Sequence, residues 1–179
     1  EAPMAMATIN PATGETEFEA ELHTPAEVET RIALAQTAHE TLRAMSYAER
    51  AALMIKAADL IESEVEQTAI MLTREMGKPI AQSRGEVLKC AKSMRFYAEK
   101  AEEFLAPQVL ADPSKVNASQ AMAIWQPLGV VLAVMPWNYP LWQVIRFAGP
   151  ALMAGNSGVL KHASNVPQSA LYLNDIFTR

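Results

Sequence analysis

The stretch Pro136-Trp137-Asn138-Tyr139-Pro140 contains the residue of this chain best suited to meet a developing negative charge. The amide of Asn138 donates hydrogen bonds without carrying a charge, which suits stabilisation of an oxyanion. Two prolines restrict the backbone around it. The competing reading is structural, because asparagine just before a helix start is a common N-cap. Lys161 follows the apolar pair Val159-Leu160. A lysine there either reaches a ribose or a phosphate or stays a solvated surface charge. Ser164 is either a turn or cap residue or part of the same cofactor site. An acid on a ribose hydroxyl favours NAD, whereas a neutral residue beside a cation admits a 2′-phosphate. No acid stands between Lys161 and Ser164. Arg146 interrupts an apolar helical pattern, either running its stem out to solvent or aiming its fork at a carboxylate.

Other groups offer less chemistry. Cys90, the single cysteine, lies between Lys89 and Lys92 inside a helical pattern and reads as a buried, inert thiol. One cysteine excludes an internal disulfide framework and fits a reducing compartment. The three histidines, His23, His39 and His162, have no ligand spacing, so no metal site is expected. The net charge is -5 and the lysines and arginines are scattered, which argues against a nucleic-acid surface. No segment is apolar for long enough to span a bilayer. The first residues lack the basic region and hydrophobic run of a secretory signal. A cytoplasmic protein is expected, with Glu1-Ala2-Pro3 preceding a natural start at Met4 or Met6.

The elements that must position these residues fall into two groups. Asn10-Pro11 and Thr13-Gly14 are turn signals between two short strands, predicting a small hairpin. Thr24-Pro25-Ala26-Glu27 and Ser46-Tyr47-Ala48-Glu49 are capping boxes, and Ser63-Glu64-Val65-Glu66 reads as a third. The first of these helices is expected to run to about Leu42. Gly77 stops the third helix and Pro79 restarts the chain. A long amphipathic helix follows, apolar at Val87, Leu88, Ala91, Met94, Tyr97, Ala98, Ala101 and Leu105. "APQVLADPS" reads as loop and "SQAMAIWQP" as an extended strand. "VVLAVMP" is a continuous apolar run, as expected of a strand covered on both faces. "LWQVIRFAGPALMAG" is helical and closes at Gly155-Asn156, "SGVLKHA" is a second short strand, and Pro167 opens a last helix. Strand, helix, strand, helix implies parallel pairing. In such sheets ligands sit at the carboxyl edge of the strands, where Asn138 and Lys161 both fall. The fold class is therefore α/β, with helices first and then the opening of a nucleotide-binding sheet.

The block "PLGVVLAVMPWNYPLWQVIRFAGPALMAGNSGVLKHASNVPQSA" resembles the central motif region of the aldehyde dehydrogenase superfamily. "INPATGE" and "EMGKP" resemble its usual N-terminal pattern. "EVLKCAKSMRFYAEKAE" and "LKHASNVPQ" look most like the succinate-semialdehyde dehydrogenases. The resemblance implies a β-hairpin segment over 1–23, the helical part of a Rossmann-like cofactor-binding domain over 24–111, and the start of its α/β sheet over 112–179. It implies that Asn138 is the oxyanion-hole amide. Met135, Pro136, Trp137 and Asn138 would line the cofactor, together with Lys161, His162, Ala163 and Ser164. Lys161 would hold the adenosine ribose. Ser164 stands where NAD-preferring relatives often carry glutamate, which favours NADP while leaving NAD possible. Arg146 stands where semialdehyde-oxidising relatives place an arginine for the substrate carboxylate, although relatives with other substrates also carry one.

The implied activity is oxidation of succinate semialdehyde, through attack of a cysteine thiolate and transfer of hydride to the nicotinamide. The family's nucleophile, general-base glutamate and second glycine-rich loop lie downstream of the matched residues, and Cys90 does not match the nucleophile. The resemblance thus implies the N-terminal part of an enzyme that is dimeric or tetrameric when complete, and inactive as this chain alone. The alternatives are an aldehyde dehydrogenase of other specificity, a truncated homologue with a binding or assembly role, or a helical scaffold with a small α/β appendage. No membrane or nucleic-acid partner is expected.

Overall fold

The computed structural model describes residues 6–179. It opens with an antiparallel hairpin, β1 (Met6–Ile9) and β2 (Thr16–Ala20). Asn10 closes the turn by accepting from Ala12 N through its side chain and from Gly14 N through its carbonyl. Four helices follow: α1 (Pro25–Ala44), α2 (Tyr47–Ser63), α3 (Val65–Met76) and α4 (Ile80–Phe104). The capping boxes of Thr24 with Glu27 and Ser46 with Glu49 are both formed. In each, the hydroxyl accepts from the third helical N–H while the glutamate returns to the cap N–H, so two free donors are satisfied together. Gly77 ends α3 with a left-handed φ of 76°, which a side chain would strain.

The third capping box does not form. Ser63 remains the last residue of α2 and its hydroxyl donates to Leu60 O at 2.8 Å. Glu64 serves as the junction between α2 and α3 without a side-chain cap, and its carboxylate instead holds Arg179. Two helices joined through one residue leave no room for an extended N-cap. The helix α1 runs to Ala44, slightly past the expected Leu42.

The segment after α4 also departs from expectation. "APQVLADPS" contributes β3 (Gln108–Val109), and "SQAMAIWQP" contributes only β4 (Met122–Ala123). These two pair with each other, antiparallel, and form no part of the parallel sheet. That sheet consists of β5 (Val130–Met135) and β6 (Ser157–His162), joined through α5 (Trp142–Met153) and followed by α6 (Pro167–Thr178).

The helix α5 covers one face of the β5–β6 pair. Gly158 turns toward it so closely that a Cβ would come within 3.1 Å of the Phe147 ring. On the other face α1 is tied by Ser157 Oγ, which donates to Ala35 O at 2.6 Å. Beyond that contact Leu132 and Val134 remain 65% and 64% exposed, whereas Ala133 between them is 4% exposed. The apolar run therefore has one buried face in this chain, not two, because α1 reaches only the start of the second face.

The core lies between the helices. Ile61 of α2, Leu72 of α3, Val87, Cys90 and Met94 of α4, Ile145 and Met153 of α5, and Leu173 of α6 share one cluster. Three polar links carry this core to the sheet. Arg50 donates to Met153 O and to Leu42 O, gathering the ends of α5 and α1. His39 Nδ1 donates to Gly155 O at 3.0 Å. Asn156, 8% exposed, donates to Ala151 O and accepts from Leu128 N and Gly129 N, which sets the entry of β5 against the exit of α5. No helix of the described residues is long and apolar enough to cross a membrane.

Candidate functional site

The register of β5 and β6 brings the two sequence motifs together. Met135 is paired with His162 and Val134 with Lys161, so the chain leaves both strands side by side at their carboxyl ends. Adjacent strands lie about 4.8 Å apart, so Pro136–Pro140 and Ala163–Val166 form neighbouring loops at one edge. Asn138 is exposed in the first of them. It is not a helix cap: the N-cap of α5 is Leu141, and that cap uses no side chain of its own.

The start of α5 is instead satisfied from a distance. Glu86 of α4 accepts from Leu141 N and from Trp142 N through Oε1, both at 3.0 Å. Its Oε2 is paired with the ammonium of Lys78, and the two side chains are 0% and 5% exposed respectively. The Lys78 ammonium also lies 3.7 Å from the centre of the Tyr139 ring, close enough for a cation–π contact. Neither residue was given a role by sequence reading. The signal available was Glu86 itself, a carboxylate on the buried stripe of α4 that also carries Ser83, Val87, Cys90 and Met94.

His162 ties the loop from the other strand. Its Nε2 bonds the Pro140 carbonyl at 2.8 Å and its Nδ1 accepts from Ala163 N at 2.8 Å. A backbone N–H can only donate and a carbonyl only accept, so the proton is on Nε2 and the ring is neutral. Burial holds its pKa below the usual histidine value, against the raising influence of the Pro140 carbonyl. The ring expected at the cofactor is therefore buried and committed to the protein, leaving its backbone at the edge.

The same device recurs at α6. Glu75 of α3 accepts from Gln168 N at 2.7 Å, from Ser169 N at 3.0 Å, from the Ser169 hydroxyl and from Thr8 Oγ1 at 2.8 Å. Burial pushes its carboxyl above the usual range, and these donors oppose that shift. Ala7 N donates to Ser164 O at 3.1 Å, binding the second loop to the hairpin. Helix N-termini ordinarily attract anions. Here carboxylates of the chain already occupy both helix starts at this edge, so neither start is free to receive an outside anion.

The remaining predicted residues take their places around this frame. Lys161 is exposed, and Ala163 and Ser164 are half-buried beside it. Trp137 is 51% exposed and borders an open cleft of about 270 Å³ shared with Met76, Asn165 and the β1 residues Ala7 and Ile9. Met135 packs against the core, Pro136 is exposed, and Arg146 is exposed on the second turn of α5. Cys90 is fully buried, and burial followed by the nearby Glu86 carboxylate keeps its thiol protonated.

The parallel strand pair with its helices is an α/β arrangement, and comparison identifies the family. The chain belongs to the aldehyde dehydrogenase family, whose profile matches residues 1–179. It is 55% identical over 176 residues to an aldehyde dehydrogenase of Paenarthrobacter nicotinovorans, covering 98% of this chain and 38% of the relative. It is 56% identical over 176 residues to succinate-semialdehyde dehydrogenase [NADP(+)] 1 of Mycobacterium tuberculosis, with the same coverage. Among solved structures, it superposes with a TM-score of 0.89 on succinic semialdehyde dehydrogenase of Streptococcus pyogenes in complex with NADP+. The two are 32% identical over 96% of this chain and 37% of that one. The succinate-semialdehyde dehydrogenase of Burkholderia pseudomallei also superposes at 0.89, with 33% identity over 98% of this chain and 36% of that one. The chain thus spans about 38% of the length of the curated relatives it matches.

The neutral ring of His162 has a measurable consequence. An unfolded histidine titrates near about 6.5, and the folded value lies lower. Between the two values the unfolded chain binds more protons, so stability is complete above pH of about 6.5 and falls as pH drops below it. In urea unfolding, the wild type should lose more stability between about pH 7.5 and about pH 5.5 than a His162→Gln variant does. Equal losses would contradict the assignment.

Proposed function

We propose that this chain is the cofactor-binding N-terminal part of an NADP-dependent aldehyde dehydrogenase that oxidises succinate semialdehyde to succinate. The observation that carries the reading is the exposed amide of Asn138. It lies outside the helix, on a loop braced at the carboxyl edge of a parallel strand pair. The Mycobacterium tuberculosis and Streptococcus pyogenes relatives, whose names carry both succinate semialdehyde and NADP, support the substrate and the cofactor.

Each residue then has a stated task. Asn138 donates to the aldehyde oxygen as it becomes negative. Lys161, exposed beside β6, holds the adenosine ribose. Ser164 adds no negative charge there, so the pair tolerates a 2′-phosphate. The backbone of Met135, Pro136 and Trp137, with that of His162 and Ala163, lines the cofactor along the two adjoining loops. NADP supplies the hydride acceptor. Arg146 offers a guanidinium to the substrate's far carboxylate. Cys90, buried and protonated, is unsuited to attack an aldehyde, so the nucleophile is assigned to the part of the protein beyond this chain. The complete enzyme is read as a cytoplasmic homodimer or homotetramer.

Three substitutions in the complete enzyme test the reading. Asn138→Ala should lower kcat about a hundredfold, the usual cost of losing an oxyanion donor; unchanged turnover would remove the enzymatic role. Ser164→Glu should reduce kcat/KM for NADP at least about tenfold more than for NAD, through repulsion of the 2′-phosphate. Equal changes for both cofactors would refute that assignment. Arg146→Ala should cost succinate semialdehyde about tenfold or more in kcat/KM while sparing an uncharged aldehyde of similar length. A matching loss on both would leave Arg146 without a carboxylate partner.

A further inference from the structure

We propose that Glu86 and Lys78 are positioning residues for Asn138: from the helical region they set the loop that aims its amide at the reacting oxygen. This rests on the oxyanion reading above and adds to it two residues that lie far from the motif in sequence.

The loop Pro136–Leu141 has no regular structure of its own. Its amino side is anchored by the pairing of Met135 with His162. Its carboxyl side is held at three points. Pro140 O is bonded by His162, the Tyr139 ring lies against the Lys78 ammonium, and Leu141 N and Trp142 N both donate to Glu86. Glu86 thus spans the start of α5 with one oxygen and the lysine with the other. A carboxylate there complements both the helix N-terminus and the lysine. An apolar residue at position 86 would suit the buried stripe of α4, but it would leave two backbone donors empty, one buried and one part-buried. Lys78 in turn is held against the ring of the residue next to Asn138 by its pairing with Glu86.

A neutral glutamine at position 86 retains an acceptor for the helix start but gives up the ion pair. The lysine then loses its partner, and Tyr139 loses a fixed cation. The adjoining amide is free to shift. Displacement of a catalytic group by about 1 Å can cost up to about a hundredfold in rate. Because Asn138 meets a charge that exists only in the transition state, the loss appears in kcat rather than in KM.

The test is a mutant cycle in the complete enzyme with succinate semialdehyde and NADP. Glu86→Gln is expected to lower kcat about tenfold and leave both KM values within about twofold. In an Asn138→Ala background the same substitution should change kcat less than about twofold, because the group it positions is gone. If Glu86→Gln is too unstable to purify, the neutral pair Lys78→Met with Glu86→Gln removes both charges together and replaces it in the cycle. A merely structural role predicts the same fractional loss with and without Asn138, or a rise in KM, and either result overturns the proposal. No effect of Glu86→Gln on kcat overturns it as well. Unchanged kcat in Asn138→Ala alone overturns the oxyanion reading and this inference with it, whereas a large Asn138→Ala effect with additive losses overturns the positioning role alone.

Discussion

The first turn of α5 has to find acceptors before anything at the carboxyl edge can be fixed. A helix start leaves backbone N–H groups without partners, and the proline-bounded loop ahead of it provides no capping side chain. Glu86 fills that need from α4, and Lys78 balances its charge in a site closed to water. Removing one member of such a buried pair costs roughly 3–5 kcal/mol, because the other is left uncompensated. The arrangement therefore requires that α4 lie against α5 at a set distance. Gly149 permits it: a Cβ there would come within 3.0 Å of the Tyr97 ring.

The two buried glutamates describe one plan for using the helical half of the chain. Glu75 near the end of α3 caps α6, and Glu86 in α4 caps α5. Between them the turn at Gly77 and Pro79 contains Lys78. One short connection thus sets both helices that follow the parallel strands, and Thr8 draws the hairpin into the same network. The helical region serves as the frame on which the two edge loops and the helices after them rest. Because the helix starts are filled by internal carboxylates, the proposed cofactor role at this edge rests on side chains such as Lys161 and on the loop backbones.

His162 completes the frame from the strand side. Its neutral ring joins the end of β6 to the last residue of the Pro-Trp-Asn loop, so β5, β6 and α5 meet through one imidazole. Asn138 and Lys161 stay exposed beside it while the hydrogen bonds that hold the loop's carboxyl side are buried or half-buried. A hydrogen-bonded backing beside an exposed amide suits the proposed oxyanion role, since donors must already be aimed before charge develops.

Much of this was legible in the chain itself. The hairpin turn at Asn10, the capping boxes at Thr24 and Ser46, the stop at Gly77 and the order of strands and helices are local signals, each carried by neighbouring residues whose own hydrogen bonds decide the conformation. The Pro-Trp-Asn motif and Lys161 were legible as candidates for the same reason. Ser63 shows where such local reading ends: its box sequence is present, but direct continuation of α2 into α3 prevents it from closing. The exposure of Leu132 and Val134 likewise depends on how far α1 reaches over the sheet, which no apolar run reports. The sequence by itself determined most of the secondary elements and made Asn138 legible as a candidate, because both follow from short-range chemistry. Only the tertiary structure decided that this amide is free of the helix cap and that Glu86, Lys78 and His162 brace its loop. The hydrogen bonds of His162 and Glu86 to this loop and helix start join residues 22 to 56 positions apart and lie beyond any local pattern.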